Sequence, residues 1–320
     1  VNIGGIYEPV REGLTIVDDR LKQLAQTDSP ALNKLIEHIF SQGGKRLRPA
    51  LTLLVGKIYN TKLDLLIPMA AAVELFHTAT LVHDDTVDSS SLRRGKPTVN
   101  DMYGGARAVL FGDYLFALAA ELASTTGNLK VVTLFAQTLR TVSSSELSMS
   151  FRPFDLSQSR QRYYENISSK TASLFVLATE SAAVLSEAPK AVVDACRDYG
   201  YNLGMAFQIV DDILDFVGAE EDLGKPVGAD LLRGVVTLPV ILTIEQHHGD
   251  QRVQRLLHAK DEETVKALLK MASGKKMICE SYRIASDFCS SALSSLDKLP
   301  DNAARQSLID LTKYVTERKN

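Results

Sequence analysis

Tryptophan is absent from this 320-residue chain, and cysteine occurs only three times. Cys196, Cys279 and Cys289 show no metal-ligand spacing, which argues against a zinc framework or a disulfide-built fold and fits a reducing compartment. Their expected role is that of small buried hydrophobes. Charge of one sign is also lacking. Against 36 Lys and Arg stand 39 Asp and Glu, and the formal net charge of −3 gives no general attraction to nucleic acid or anionic membrane. An anionic substrate must therefore be held by local cations and metal. No uninterrupted apolar run approaches the roughly 18 to 20 residues needed to span a bilayer. Glu74 and His77 break the longest stretch and Asp113 the next. The opening VNIGGIYEPVREG has no basic segment followed by an apolar one, and its first residue is not Met. The expected location is cytoplasmic, or organellar where a transit peptide has been removed.

What the chain does have is helical periodicity from end to end, with little of the strict alternation expected of strands. Segments near 9–25, 30–41, 47–59, 64–88, 105–126, 129–150, 160–186, 189–218, 230–247, 261–271, 275–295 and 302–317 read as helices. The breaks carry Pro, Gly, Ser or Asn, as at Asp28-Ser29-Pro30, Gly43-Gly44, Gly104-Gly105 and Pro300-Asp301-Asn302. Short connections without a low-complexity linker predict one all-α domain over residues 1–320, and a 45% hydrophobic content can bury a sizeable core. Stretches 68–82 and 171–185 are apolar or small on nearly every face, which places them at the centre of a helical bundle.

Two acidic clusters interrupt these apolar helices, Asp84-Asp85-Thr86-Val87-Asp88 and Asp211-Asp212-Ile213-Leu214-Asp215. Positions four apart share a helix face, so each cluster sets like charges side by side at a spacing that destabilises an isolated helix. A hard divalent cation is the natural compensation. Oxygen-only ligands suit Mg²⁺, which commonly bridges one or two carboxylates to substrate phosphates. One such cluster would read equally well as a solvated acidic face. Its recurrence beside Leu81, Val82, Ile209 and Ile213 weakens that reading, and both clusters are expected to face a shared cavity.

Cations flank both clusters. Arg93 and Arg94 follow the first one closely, and His77 lies two turns before Asp84 on nearly the same stripe. Guanidinium forks match phosphate oxygens in bidentate fashion, the alternative being a surface ion-pair cluster. Gly43-Gly44-Lys45-Arg46-Leu47-Arg48-Pro49 puts three cations at a predicted helix start, a second candidate anion site that lacks the spacing of a nucleotide P-loop. In the second half, Gln208, Asp211, Asp212 and Asp215 form a polar stripe, and Lys225 sits in a following loop that can fold back over it. Lys170 and Thr171 lie within another apolar helix, where a lysine either snorkels outward or serves a cavity.

The segments GGKRLRP (43–49), ELFHTATLVHDDTVDSSSLRRGKPT (74–98), GDYLFA (112–117), SKTASLF (169–175), NLGMAFQIVDDILDF (202–216) and LGKPVGADLLRGVVTLP (223–239) resemble the all-trans polyprenyl diphosphate synthases. The similarity runs from about residue 30 to the C-terminus. It implies the isoprenoid synthase fold, an all-α bundle around a deep central cavity, and a homodimer. It also implies addition of isopentenyl diphosphate to an allylic diphosphate with release of diphosphate. By the same resemblance, Asp84, Asp88 and Asp211, assisted by Asp85, Asp212 and Asp215, hold three Mg²⁺ ions on the allylic diphosphate. Arg93, Lys170 and Lys225 resemble the basic contacts to that diphosphate; Lys45, Arg48, His77 and Arg94 resemble the isopentenyl diphosphate site. Thr171 and Gln208 correspond to residues whose oxygen atoms face the developing allylic cation. The product is lipophilic, although no membrane span is expected.

The chain departs from many relatives at Val235, where a Lys is usual, at Arg233, where Glu is usual, and at Ser145-Glu146-Leu147-Ser148-Met149 in place of Gly-Glu-x-x-Gln. Product length is expected to follow the helix before Asp84, where one turn rises about 5.4 Å, close to one isoprene unit. Ala79 and Thr80 are small, with Phe76 a turn further and Phe135 on the 129–140 stretch as candidate floors. This predicts products of C25 or longer, with C20 as the alternative. Two other readings are a class I terpene cyclase, which would not need the Lys45/Arg48/His77/Arg94 set, and a non-catalytic subunit of a heteromeric prenyltransferase, in which complete Asp clusters would be unusual.

Overall fold

Several helix starts are fixed by capping residues the sequence supplies. Ser29 accepts the Leu32 N–H ahead of Pro30, Thr98 accepts from Asp101, Asn128 from Lys130 and Val131, Ser159 from Arg162, and Asn302 from Arg305. The computed structural model describes residues 3–41, 43–151, 155–156, 158–217, 228–247, 250, 253 and 262–318. Among them run α1 (Ile3–Ile6), α2 (Arg11–Gln23), α3 (Pro30–Phe40), α4 (Leu47–Ile58), α5 (Leu63–Val87), α6 (Val99–Tyr103), α7 (Gly105–Thr125) and α8 (Leu129–Ser150). There follow α9 (Arg160–Ile167), α10 (Ser173–Leu185), α11 (Lys190–Val217), α12 (Ala229–Leu232), α13 (Leu238–Gln246), α14 (Glu262–Ala272), α15 (Lys275–Ser295) and α16 (Ala303–Glu317). A short hairpin, β1 (Leu92–Arg93) paired antiparallel with β2 (Lys96–Pro97), is the only sheet among the described residues.

The layering follows hydrophobicity. α4, α5, α10 and α11 carry the fully buried residues Leu54, Met69, Phe76, Phe175 and Tyr199, and the other helices surround them. α5 packs most extensively on α7, and α11 on α15 and α10. Tyr199 ties α11 to the C-terminal helix by donating to the Leu308 carbonyl at 2.8 Å. That bond helps bring the end of α16 to the centre of the molecule.

Two predicted helices differ from expectation. Segment 160–186 is interrupted by a π turn at Ser168–Ala172, in which the Ser173 N–H reaches the Ser168 carbonyl. Such bulges re-aim the side chains they carry, here Lys170 and Thr171. Segment 230–247 splits into α12 and α13 because Gly234, at φ 88°, leaves helical geometry. Helices α5 and α7 are also long and apolar enough to cross a membrane, although no uninterrupted apolar run suggested it. α5 is mostly buried inside the protein, as a core helix is; α7 is covered on one side and leaves Val109 and Leu110 exposed.

Candidate active site

The inner helices leave a cavity of about 940 Å³ between them. One end is polar. Asp84 from α5 and Asp211 from α11 both line it, as do Lys45, Arg48, His77, Arg93, Arg94, Lys170, Thr171 and Gln208. Residues widely separated in sequence are thus gathered on one space. Lys225 lies outside the described residues.

Each acidic group at this end is matched by a cation. Lys170 Nζ lies 3.4 Å from Asp84 Oδ2 and 3.0 Å from Glu146 Oε1. Burial lowers the lysine pKa, but Asp84 and Glu146 more than offset it, so the net shift is upward and the ammonium stays charged. Arg93 grips buried Asp85 through Nε, 2.8 Å from both carboxylate oxygens. Asp211 Oδ1 meets Arg318 Nη2 at 2.7 Å, and the Arg318 guanidinium stacks 3.9 Å from the Phe207 ring centroid.

The second group of cations is less fully paired. Arg48 is buried over the Phe175 ring, and its Nε has no hydrogen-bond partner. Burial moves its pKa down to about 10, which still leaves it charged at neutral pH. Desolvation and then the neighbouring Arg48, Arg94 and Arg93 hold His77 well below its ordinary value, so it is a neutral imidazole. Arg94 donates to the Gly43 carbonyl, and Lys96 Nζ reaches the Ser41 carbonyl at 2.9 Å. These bonds fasten the β1–β2 hairpin to the Gly43-Gly44 loop. Arg46 is spent structurally, 2.7 Å from Asp18 and 2.8 Å from Glu74. Arg48 lines the cavity and brings its positive charge to an anion entering here.

Four of the six candidate metal residues do not line the cavity. Asp88 is the exposed cap residue ending α5, one turn beyond Asp84. Asp85, about 100° around the helix from Asp84, turns to Arg93. Asp212 is turned likewise from Asp211, and its Oδ2 accepts from the Tyr163 hydroxyl at 2.6 Å. Asp215 receives the turn before α12, with the Asp230 N–H 3.2 Å from its Oδ2 and the Gly228 N–H 2.7 Å from its carbonyl. The polar stripe expected from the sequence is real, but it wraps from the cavity into the protein.

The rest of the lining is largely apolar. Leu81, Phe116, Val142 and Leu147 contribute to it, as does Thr80. Phe116 meets the Phe76 ring edge-on at 5.2 Å, and Phe135 meets Phe76 from another side at 5.2 Å. Phe76 and Phe135 therefore back the wall that Phe116 presents. Ala79 is fully buried and does not line the cavity, correcting the expectation that it faces the tunnel. Five residues before Asp84 is about 140° away around the helix, whereas Thr80, four before, is within about 40°.

Sequence reasoning misses Arg318 and Tyr314, which reach the cavity from the end of α16, and Tyr163, which no motif marks. Glu146 and Phe116 lie within recognisable segments, but spacing alone gives them no role. Among the altered positions, Arg233 pairs with Asp230 at 2.7 Å and Val235 is exposed.

A helical bundle with a cation- and carboxylate-lined cavity head over an apolar body defines the isoprenoid-synthase class of protein. Residues 29–272 match the family model described as polyprenyl synthetase. The chain is 38% identical over 99% of both sequences to a prenyl transferase of Synechocystis sp. and 35% identical, again over 99% of both, to heptaprenyl diphosphate synthase component 2 of Geobacillus stearothermophilus. The crystal structure of a Caulobacter crescentus polyprenyl synthase complexed with calcium and isoprenyl diphosphate superposes with a TM-score of 0.92 at 35% identity, covering 100% of this chain and 98% of that one. The chain belongs to the polyprenyl synthetase family and is a prenyltransferase.

Proposed function

We propose that the chain condenses isopentenyl diphosphate with an allylic diphosphate to make an all-trans polyprenyl diphosphate of C25 or longer. The observation carrying this reading is the convergence of Asp84 and Asp211 with two groups of cations at the head of one apolar cavity. Among the described residues, no three His, Cys, Asp or Glu groups converge to hold a metal ion by themselves. Magnesium characteristically takes one or two carboxylates and completes its shell with water and phosphate oxygens. The donor set thus fits ions held jointly by Asp84, Asp211 and a diphosphate. When bound there, magnesium supplies Lewis-acid stabilisation of the departing diphosphate.

The chain's own groups do the rest. Lys170 and Arg93 offset negative charge on the leaving diphosphate, and Lys45, Arg48, Arg94 and neutral His77 hold isopentenyl diphosphate alongside. Thr171 and Gln208 turn oxygens toward the allylic cation, while Leu81, Leu174 and Phe116 keep water from it. The exposed apolar residues of α7 support a second copy as partner, and the product is lipophilic.

Incubating the purified protein with Mg²⁺, labelled isopentenyl diphosphate and C5, C10, C15 or C20 allylic primers is expected to give labelled polyprenyl diphosphate, abolished by EDTA. Light scattering on the same preparation is expected to give twice the chain mass. Inactivity with every primer would overturn the reading.

Product length supplies a second prediction. Thr80→Tyr puts a ring into the cavity one turn from Asp84 and is expected to shorten the major product to C15 or C20. Phe116→Ala removes the wall and is expected to lengthen it by one or more isoprene units. An unchanged product distribution for both variants on reversed-phase sizing would refute this path for the tail.

A further inference from the structure

Behind Thr171 and Gln208 runs a chain of hydrogen bonds that no part of the proposed reaction has used. Thr171 Oγ1 donates to Gln208 Oε1 at 2.7 Å, Gln208 Nε2 donates to Asp212 Oδ1 at 2.8 Å, and the Tyr163 hydroxyl donates to Asp212 Oδ2 at 2.6 Å. Thr171 and Gln208 line the cavity; Asp212 and Tyr163 are buried behind them. The relay begins on α9, crosses α11 and ends on the π turn that carries Thr171.

The direction of each bond follows from the chemistry of Asp212. A carboxylate only accepts, so the Gln208 amide must turn its NH₂ to Asp212 and its carbonyl to Thr171. The Thr171 hydroxyl, facing a carbonyl, must then be the donor. Its proton is committed inside the wall, and its lone pairs are left for the cavity. Gln208 Oε1 spends one lone pair on Thr171 and keeps the other. The reverse arrangement would point N–H and O–H dipoles, positive end first, at a growing cation.

We propose that Asp212 is a positioning residue rather than a metal ligand: held by Tyr163, it fixes the polarity of Gln208 and Thr171 so that both present oxygen lone pairs to the allylic cation. The inference rests on the prenyl-transfer reading and deepens it. Positioned dipoles of this kind are worth about 10²–10³ in rate when one is removed.

Asparagine separates the two roles. Asp212→Asn can still accept from Gln208 through its carbonyl while its NH₂ faces Tyr163, so the polarity survives although the charge is lost. Asp212→Leu offers no acceptor. Asp212→Asn is expected to keep kcat within about fivefold of the unaltered protein, and Asp212→Leu to lose about 10²-fold. Neither is expected to change the KM values or the magnesium half-saturation, nor, by calorimetry, the affinity for an unreactive allylic thiolodiphosphate. Thr171→Val is expected to lose no more than Asp212→Leu, and the double variant to be no slower than Asp212→Leu alone, because Thr171 stands at the end of the relay that Asp212 orients.

Thr171→Ser keeps the hydroxyl and is expected to remain active. Where Asp212→Leu fails to fold, Tyr163→Phe combined with Thr171→Val takes its place, with the same expectation of non-additive loss. A raised magnesium half-saturation in Asp212→Asn, comparable to that of Asp211→Asn, would establish a ligand role and overturn the proposal. Multiplying losses in the double variants would overturn it as well. Both results leave prenyl transfer standing, whereas no turnover by the unaltered protein removes the reading and the relay together.

Discussion

Replacing Asp84 or Asp211 by alanine is expected to lower prenyl transfer by about 10²–10³-fold each, the scale on which single electrostatic contacts to a reacting group act. These are the two carboxylates of the Asp clusters that line the cavity. Their loss also releases the cations they hold. Without Asp84, Lys170 keeps only Glu146, and without Asp211, buried Arg318 keeps the Phe207 carbonyl and ring. An orphaned buried charge destabilises, so Asp211→Ala is also expected to melt at a lower temperature than Asp84→Ala. Single-turnover measurements at saturating Mg²⁺ separate the effects. Asp88→Ala, at an exposed helix cap, is the comparison. If it proves as damaging as Asp84→Ala while the fold is intact, the cavity-facing position does not decide which carboxylate matters.

Gly204→Val is expected to carry a large structural penalty. A Cβ at Gly204 would stand 2.6 Å from Ala172 Cα and 2.9 Å from its Cβ. The nearer atom is backbone, in the π turn, so no rotamer change can relieve the clash. Overpacking of this kind costs about 1–3 kcal/mol or more and is expected to lower Tm by about 5 °C. Because the displaced turn carries Lys170 and Thr171, activity is expected to fall further than the loss of folded protein accounts for. Gly105→Ala is the control. A Cβ there meets nothing nearer than 3.5 Å, and a helical alanine is expected to leave both Tm and turnover unchanged or slightly improved. Equal melting temperatures for Gly204→Val and Gly105→Ala, measured by calorimetry, would show that α11 can move away from the turn.

Much of this molecule is written locally. Caps such as Ser29 and Asn302, turn residues such as Gly43 and Gly127, and 3.6-residue periodicity act within a few positions, so nearly every long helix is legible from the chain alone. The functional residues cluster in short segments for a related reason. Carboxylates and cations at helical spacing stand out against apolar neighbours, and Asp84, Asp211, Lys45, Arg48, His77, Arg93, Arg94, Lys170, Thr171 and Gln208 are all conspicuous by residue type and position in their segments.

Rotation about helix axes is not legible in the chain to better than about 100°, one residue's advance. Sequence reasoning therefore puts Ala79 on the cavity wall where Thr80 stands, and groups Asp212 and Asp215 with Asp211 although they turn inward. The π turn carries no local mark in the chain, and its Ala172 packs against Gly204 of α11. Arg318 pairs with Asp211 across 107 positions, brought there as α16 packs on α11 and Tyr199 bonds Leu308. Residue type and short spacing thus suffice for an all-α chain with two acidic clusters, two sets of cations and the chemistry they imply. Which carboxylates face the cavity, which are consumed by Arg93 and Tyr163, and which ring closes the apolar wall depend instead on which helix faces meet.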